Sequence, residues 1–127
     1  MGAPMKALVC GSRSWQDAAL LWATLDEFHR VDPIEVVVHG CAKGADTIAD
    51  EWAVARGVGR ECYPADWDRY RGPGKNPAGP IRNRAMLKNG NPDVVIAFSR
   101  GTPGTADMIA LAQAAEIPVY VVLGRQA

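Results

Sequence analysis

Short apolar runs alternate along this chain with longer stretches in which apolar side chains return every three or four positions. The runs "KALVCG" (6–11), "IEVVVHG" (34–40), "ECYP" (61–64), "DVVIAF" (93–98) and "PVYVVL" (118–123) predict β-strands. Most of them are apolar without alternation, as strands buried on both faces are. Between them, 15–30 lines up Leu20, Leu21, Leu25 and Phe28, and 45–56 lines up Ile48, Trp52 and Ala55, each set on one helical face. Shorter helices are predicted over 80–89, through Ile81, Ala85, Met86 and Leu87, and over 105–116, through Met108, Ile109 and Ala112. Strands that alternate with helices are joined by right-handed crossovers, with helices on both faces of the sheet. The fold class expected is therefore α/β: one doubly wound domain over 1–127, on a mainly parallel five-stranded sheet. The long stretch "ADWDRYRGPGKNPAG" (65–79) is an irregular loop of a length that usually has a job, and it is expected to cover a site.

Length and composition narrow the function. A chain of 127 residues buries roughly two thirds of its unfolded surface and needs no staple. Lys plus Arg equal Asp plus Glu at 14 each, which argues against polymeric nucleic acid and anionic membrane surfaces as partners. Cys10, Cys41 and Cys62 lack the spacing of a zinc site, so no metal and no cofactor is expected, and reduced thiols in the cytoplasm fit best. The first apolar segment runs straight into Gly11 and Ser12, too brief for a signal peptide or a membrane span.

Open α/β sheets bind ligands beyond the carboxyl ends of their strands. The segments expected there share a composition: "GSRSW" (11–15), "HGCAKGAD" (39–46) and "SRGTPGTAD" (99–107) each combine glycine, small or hydroxyl residues and a cation with a helix directly behind. Helix N-termini with nearby Arg or Lys form phosphate sites. Candidate ligand residues are Gly11, Ser12 and Arg13, then Gly40, Lys43, Gly44 and Asp46, then Gly101, Thr102, Gly104 and Thr105. Of the fourteen cations, Arg13, Lys43, Arg69, Arg71, Lys75, Arg82, Arg84 and Arg100 fall in these loops, in the long loop or at the adjacent helix start, enough for a positive rim on a neutral chain. Trp15 and Trp67 flank the polar loops and are placed to stack on a base, whereas Trp22 and Trp52 occupy core helix positions. Asp46 and Asp107 fit either a first-turn acid or a ligand group. His39 reads as a structural histidine, and Cys10 and Cys41 as small core or loop residues.

Together, "GSRSW.D", "VVHGCAKGADTIADEWA", "PADWDRY", "AGPIRNRAML" and "AFSRGTPGTADMI" resemble the SLOG superfamily, and in particular its YspA-type branch of small stand-alone proteins. The resemblance spans about residues 6–123. It implies a Rossmann-like fold, a nucleotide or nucleotide-derived ligand and a homodimer. The enzymes of the superfamily, the Lonely Guy phosphoribohydrolases, cleave the N-glycosidic bond of nucleoside 5′-monophosphates. Their signature P-G-G-x-G-T-x-x-E matches here at Gly104 and Thr105, and their upstream arginine matches Arg82. Their lysine falls on Asn83 and their glutamate on Met108, with Asp107 one position earlier, a turn of about 100° on a helix.

Two functions follow from the resemblance and the loops. The first is a binding module in which Arg82, Asn83 and the glycine loops hold a nucleotide-like small molecule. The second is a hydrolase with Asp107 as the carboxylate and Arg82 as the electrostatic stabiliser. Binding is the expected activity, because methionine cannot replace the missing glutamate.

Overall fold

The computed structural model describes residues 4–124. The strands are β1 (Met5–Gly11), β2 (Ile34–His39), β3 (Gly59–Cys62), β4 (Val94–Ser99) and β5 (Val119–Leu123). The helices are α1 (Ala18–Val31), α2 (Ala45–Arg56), α3 (Ala78–Gly90) and α4 (Pro103–Ala114). The five strands form one all-parallel sheet in the order β3-β2-β1-β4-β5. Helices α1 and α2 cover one face and α3 and α4 the other, so the fold is doubly wound and Rossmann-like, as the pattern predicts. Among the described residues, no helix is long and apolar enough to cross a membrane.

The central strands β1 and β4 are buried on both sides, which explains their unbroken apolar runs. One face packs Val9, Ile96 and Phe98 against Leu21, Leu25 and Trp52; the other packs Leu8, Val38 and Val95 against Met86, Met108 and Ala112. Helix starts differ from the pattern for local reasons. Helix α1 begins after Asp17, whose carboxylate accepts the Leu20 N–H at 3.0 Å and fixes the start beyond Trp15. Helix α4 begins at Pro103, a residue suited to the first helical position because its missing N–H has no partner there in any case. Strand β3 starts two residues early because Gly57 closes α2 in the left-handed conformation and the chain turns at once into the sheet. Leu20, Ala55 and Ile81, expected on inward faces, are exposed; in α3 Met86 is buried as expected, together with Asn83 and Gly90.

Trp52 of α2 is fully buried, and its indole N–H donates to Asp26 at 2.9 Å. Arg56 clamps the same carboxylate through two nitrogens, each at 2.9 Å. The Arg56 and Trp52 donors hold Asp26 down to about 2. Replacing Trp52 by Ala is expected to cost about 3–5 kcal/mol in urea denaturation. Because the folded carboxyl lies below the ordinary value near ~4, its contribution is complete above that pH and is lost as acid approaches about 2. Urea midpoints of the wild type should therefore exceed those of Asp26→Asn at neutral pH, with the gap closing by about pH 2.

Candidate functional site

Strand order reverses between β1 and β4, since the chain leaves β1 toward β2 on one side and reaches β5 on the other. Crossovers on opposite sides of such a point open a crevice at the carboxyl ends of the strands. The crevice here has a volume of about 590 Å³. Its floor is Cys10 and Gly11 at the end of β1, with Asp46 and Met86. One wall is the first turn of α4, with Thr102, Pro103, Gly104, Thr105 and Asp107. The other wall is the start of α3, with Gly79, Pro80, Arg82 and Asn83, and the rim carries Arg13, Trp67 and Lys75.

A continuous hydrogen-bond network holds these walls. The Arg82 guanidinium donates from Nη1 to the Gly40 carbonyl at 2.8 Å and from Nε to Asn83 Oδ1 at 2.9 Å. An arginine can only donate, so the Asn83 amide is oriented with its NH2 toward α4. There it donates to Asp107 Oδ2 at 2.9 Å and reaches the Gly104 carbonyl at 3.4 Å. Asp46, nearly fully buried, accepts the N–H of Gly40 at 3.1 Å and of Ala42 at 3.2 Å. Burial pushes its carboxyl up, against the opposing pull of those two amides, His39 and Arg82. Burial likewise lowers Arg82, although Asp46 opposes it. The two glycine loops are tied by hydroxyls: Ser12 meets Thr102 at 3.0 Å, Thr102 meets Thr105 at 3.1 Å, and Ser12 accepts the Arg100 N–H at 2.8 Å. Thr102 therefore does not cap α4, and Gly44 gives α2 no side-chain cap either, whereas α1 is capped by Asp17.

Residues 5–70 match the profile of the YspA, cpYpsA-related SLOG family. The Gene 61 protein of Mycobacterium phage D29 is 43% identical over 121 residues, which covers 90% of this chain and 93% of that protein. The chain belongs to the YspA, cpYpsA-related SLOG family. In fold it is similar to DNA processing protein A (DprA) from Streptococcus pneumoniae, with a TM-score of 0.73 at 23% identity. That similarity covers 95% of this chain, which spans about half of the DprA chain, 51%.

Of the residues singled out from the SLOG-like motifs and loops, Gly11, Arg13, Asp46, Trp67, Arg82, Asn83, Thr102, Gly104, Thr105 and Asp107 line the crevice. Met108, at the position of the enzymes' glutamate, lies in the core under α4. Asp107 faces the crevice instead. Ser12, Gly40, Gly44 and Gly101 do not line the crevice; Ser12 and Gly40 are buried beside it and Gly101 is exposed. Gly11 lets α2 approach, because a Cβ there would lie 2.5 Å from that of Ala45, and Gly44 has φ 74. Lys43 is exposed and does not line the crevice. Trp15 departs from the expected stacking position. It is 2% exposed, packed edge-on against Phe98 with ring centroids 5.4 Å apart, and its indole N–H donates to the Asp17 carbonyl. Trp67 is 42% exposed at the rim, with the Arg13 guanidinium 5.2 Å above its ring. The long loop supplies both Trp67 and Lys75 to the rim. Cys10, Ala42, Gly79, Pro80 and Met86 also line the crevice, although none was singled out as a candidate, because they are ordinary core or turn residue types whose placement depends on the fold.

The cysteines also differ from expectation. Cys41 and Cys62 are joined as a disulfide, with Cα atoms 5.7 Å apart, and only Cys10 is a free, buried thiol, pushed up by its burial. The cause is register: β3 sets Cys62 opposite His39 of β2, and Cys41 is two residues past His39. His39 is structural as expected, with Nε2 on Asp50 at 2.8 Å and Nδ1 accepting the Cys41 N–H at 3.0 Å.

A Cβ on Gly40 would lie 2.4 Å from Arg82 Nη1 and 3.1 Å from Asp46 Oδ2. The clash falls on the far end of a long side chain. The Gly40→Ala variant is therefore expected to stay folded while its Arg82 guanidinium leaves the Gly40 carbonyl. The Arg82 Nε–H resonance in an NMR spectrum, shifted from its wild-type position with the core amides of β4 unchanged, checks this.

Proposed function

We propose that this SLOG protein binds a nucleotide or nucleotide-derived phosphate at the crevice between β1 and β4, and senses, sequesters or delivers it without cleaving it. The observation that carries the reading is the first turn of α4. Its N-cap side chain is committed to Ser12 and Thr105, so the backbone N–H groups of Gly104 and Thr105 have no side-chain cap, and they stand in the same crevice as Arg82. Uncapped helix N–H groups and a fixed cation together suit a phosphate. Gly104 adds room, because a Cβ there would meet no protein atom within 4 Å. Trp67, half-exposed on the rim, offers a face for a base, and Lys75 and Arg13 add positive charge around the opening. A crevice of this size accepts a mononucleotide or a somewhat larger relative, not a polymer.

A second reading has one observation in its favour. Asp107 faces the crevice and is oriented by Asn83, so a carboxylate is available for glycosidic cleavage. It is shorter than glutamate and engaged by an amide, and the helix position used by the enzymes is occupied by Met108 in the core. Binding is the better-supported function.

Thermal unfolding with AMP, ADP-ribose and inorganic phosphate, each followed by chromatography, tests both readings. A bound ligand at a hundred times its Kd is expected to stabilise the wild type by about 2.7 kcal/mol and to be recovered intact. Gly104→Val should fold normally and lose that stabilisation, while Asp107→Asn should keep most of it. Release of free base by the wild type but not by Asp107→Asn would establish the hydrolase instead. An absence of stabilisation by every ligand would overturn the binding reading.

A further inference from the structure

A second, shallower cavity of about 490 Å³ lies beside the loop that follows β2, lined by His39, Cys41, Asp50, Arg60 and Cys62 among others. It shares that loop with the phosphate crevice. Cys41 belongs to this cavity, while Ala42, its neighbour, lines the crevice. His39, Cys41 and Cys62 are ligand types for a metal, within 4.8 Å of one another. The arrangement does not suit one, because both ring nitrogens of His39 are given to protein partners.

We infer that Cys41–Cys62 is a reversible thiol–disulfide site whose redox state sets the wall of the crevice at Gly40–Ala42. Both cysteines are solvent-exposed, and exposed disulfides are the ones that small thiols reach and exchange. Cys41 is held at φ 58, a left-handed conformation that a cysteine rarely adopts without an imposed constraint. The bond to Cys62 supplies that constraint from the end of β3. On either side of Cys41, the N–H groups of Gly40 and Ala42 converge on Asp46, and the Gly40 carbonyl receives Arg82. A rotation of Cys41 on release of the bond therefore disturbs the contacts of buried Asp46 and half-buried Arg82 at once.

The chemistry is two successive exchanges with a small-molecule disulfide of the glutathione type. One protein thiolate attacks that disulfide, forming a mixed disulfide and expelling one small thiolate, which takes up the proton. The second protein thiolate then attacks the mixed disulfide and expels the second small thiol. Two protein thiols and one small disulfide thus become the protein disulfide and two small thiols, and excess small thiol reverses both steps. The effect on ligand affinity rests on the phosphate reading, whereas the effect on the loop does not.

The test poises the 127-residue chain in reduced or oxidised glutathione and reads alkylation by mass spectrometry and amide hydrogen exchange by NMR. Two thiols, Cys41 and Cys62, are expected to appear and disappear reversibly, with buried Cys10 unlabelled throughout. Protection of the Gly40 and Ala42 amides should fall by at least about tenfold on reduction, while Val95 in β4 is unchanged. Cys62→Ser should match the reduced protein under both conditions. A disulfide that does not exchange, or equal Gly40 and Ala42 protection in both states, overturns the inference whether or not a ligand binds. AMP binding to the oxidised protein is measured alongside. Weaker binding on reduction extends the switch to the ligand, and failure to bind in either state counts against the phosphate reading while the protection change still upholds the redox site.

Discussion

The Arg82 guanidinium is the contact on which the crevice depends. It crosses from α3 to the loop after β2, where the absence of a side chain on Gly40 lets it sit against the backbone carbonyl. Its second hydrogen bond orients Asn83, which in turn holds Asp107 and the Gly104 carbonyl of α4. One planar cation therefore fixes the relative positions of three segments that are far apart in sequence. Burial disfavours its charge, and nearby Asp46 opposes that cost. Asp46 is itself kept in place by two backbone amides from the same loop.

The sheet explains why these groups meet where they do. With β1 at the centre and the order reversing between β1 and β4, the loops that follow β1, β2 and β4 end on one edge. Their side chains are spent largely on one another. Ser12, Thr102 and Thr105 form a chain of hydroxyls that sews the first loop to the last, and Arg100 donates to the Ser14 carbonyl at 3.0 Å. What this leaves open to solvent is backbone: the uncapped first turn of α4, with glycine at the position where a side chain would otherwise project. Polar side chains thus brace the loops against one another, and the amides of the α4 first turn are left for the ligand proposed above.

Much of the fold was legible because strands buried on both faces lose their alternation, and "DVVIAF" carries that pattern plainly. Helix ends were less legible, since Asp17 and Pro103 set them through local geometry that outweighs the apolar period. Arg82 and parts of the glycine loops could be read as candidates for the crevice lining because each stands directly after a strand or at a helix start. Trp15 could not be placed correctly: the same position beside a polar loop serves a stacking residue or a core residue, and the choice depends on Phe98 lying beneath it. The Cys41–Cys62 pair depends on strand register, which no spacing of cysteines reveals. Asn83 carried no chemical signal beyond occupying a lysine's place, yet it links Arg82 to Asp107.

The central claim, that the first turn of α4 receives a phosphate, is tested most directly by following backbone amide shifts while AMP is titrated into the protein. The account predicts saturable shifts that are largest at Gly104 and Thr105, with the Arg82 Nε–H moving at the same midpoint. Saturable shifts confined to other loops, with Gly104 and Thr105 unmoved, would contradict it.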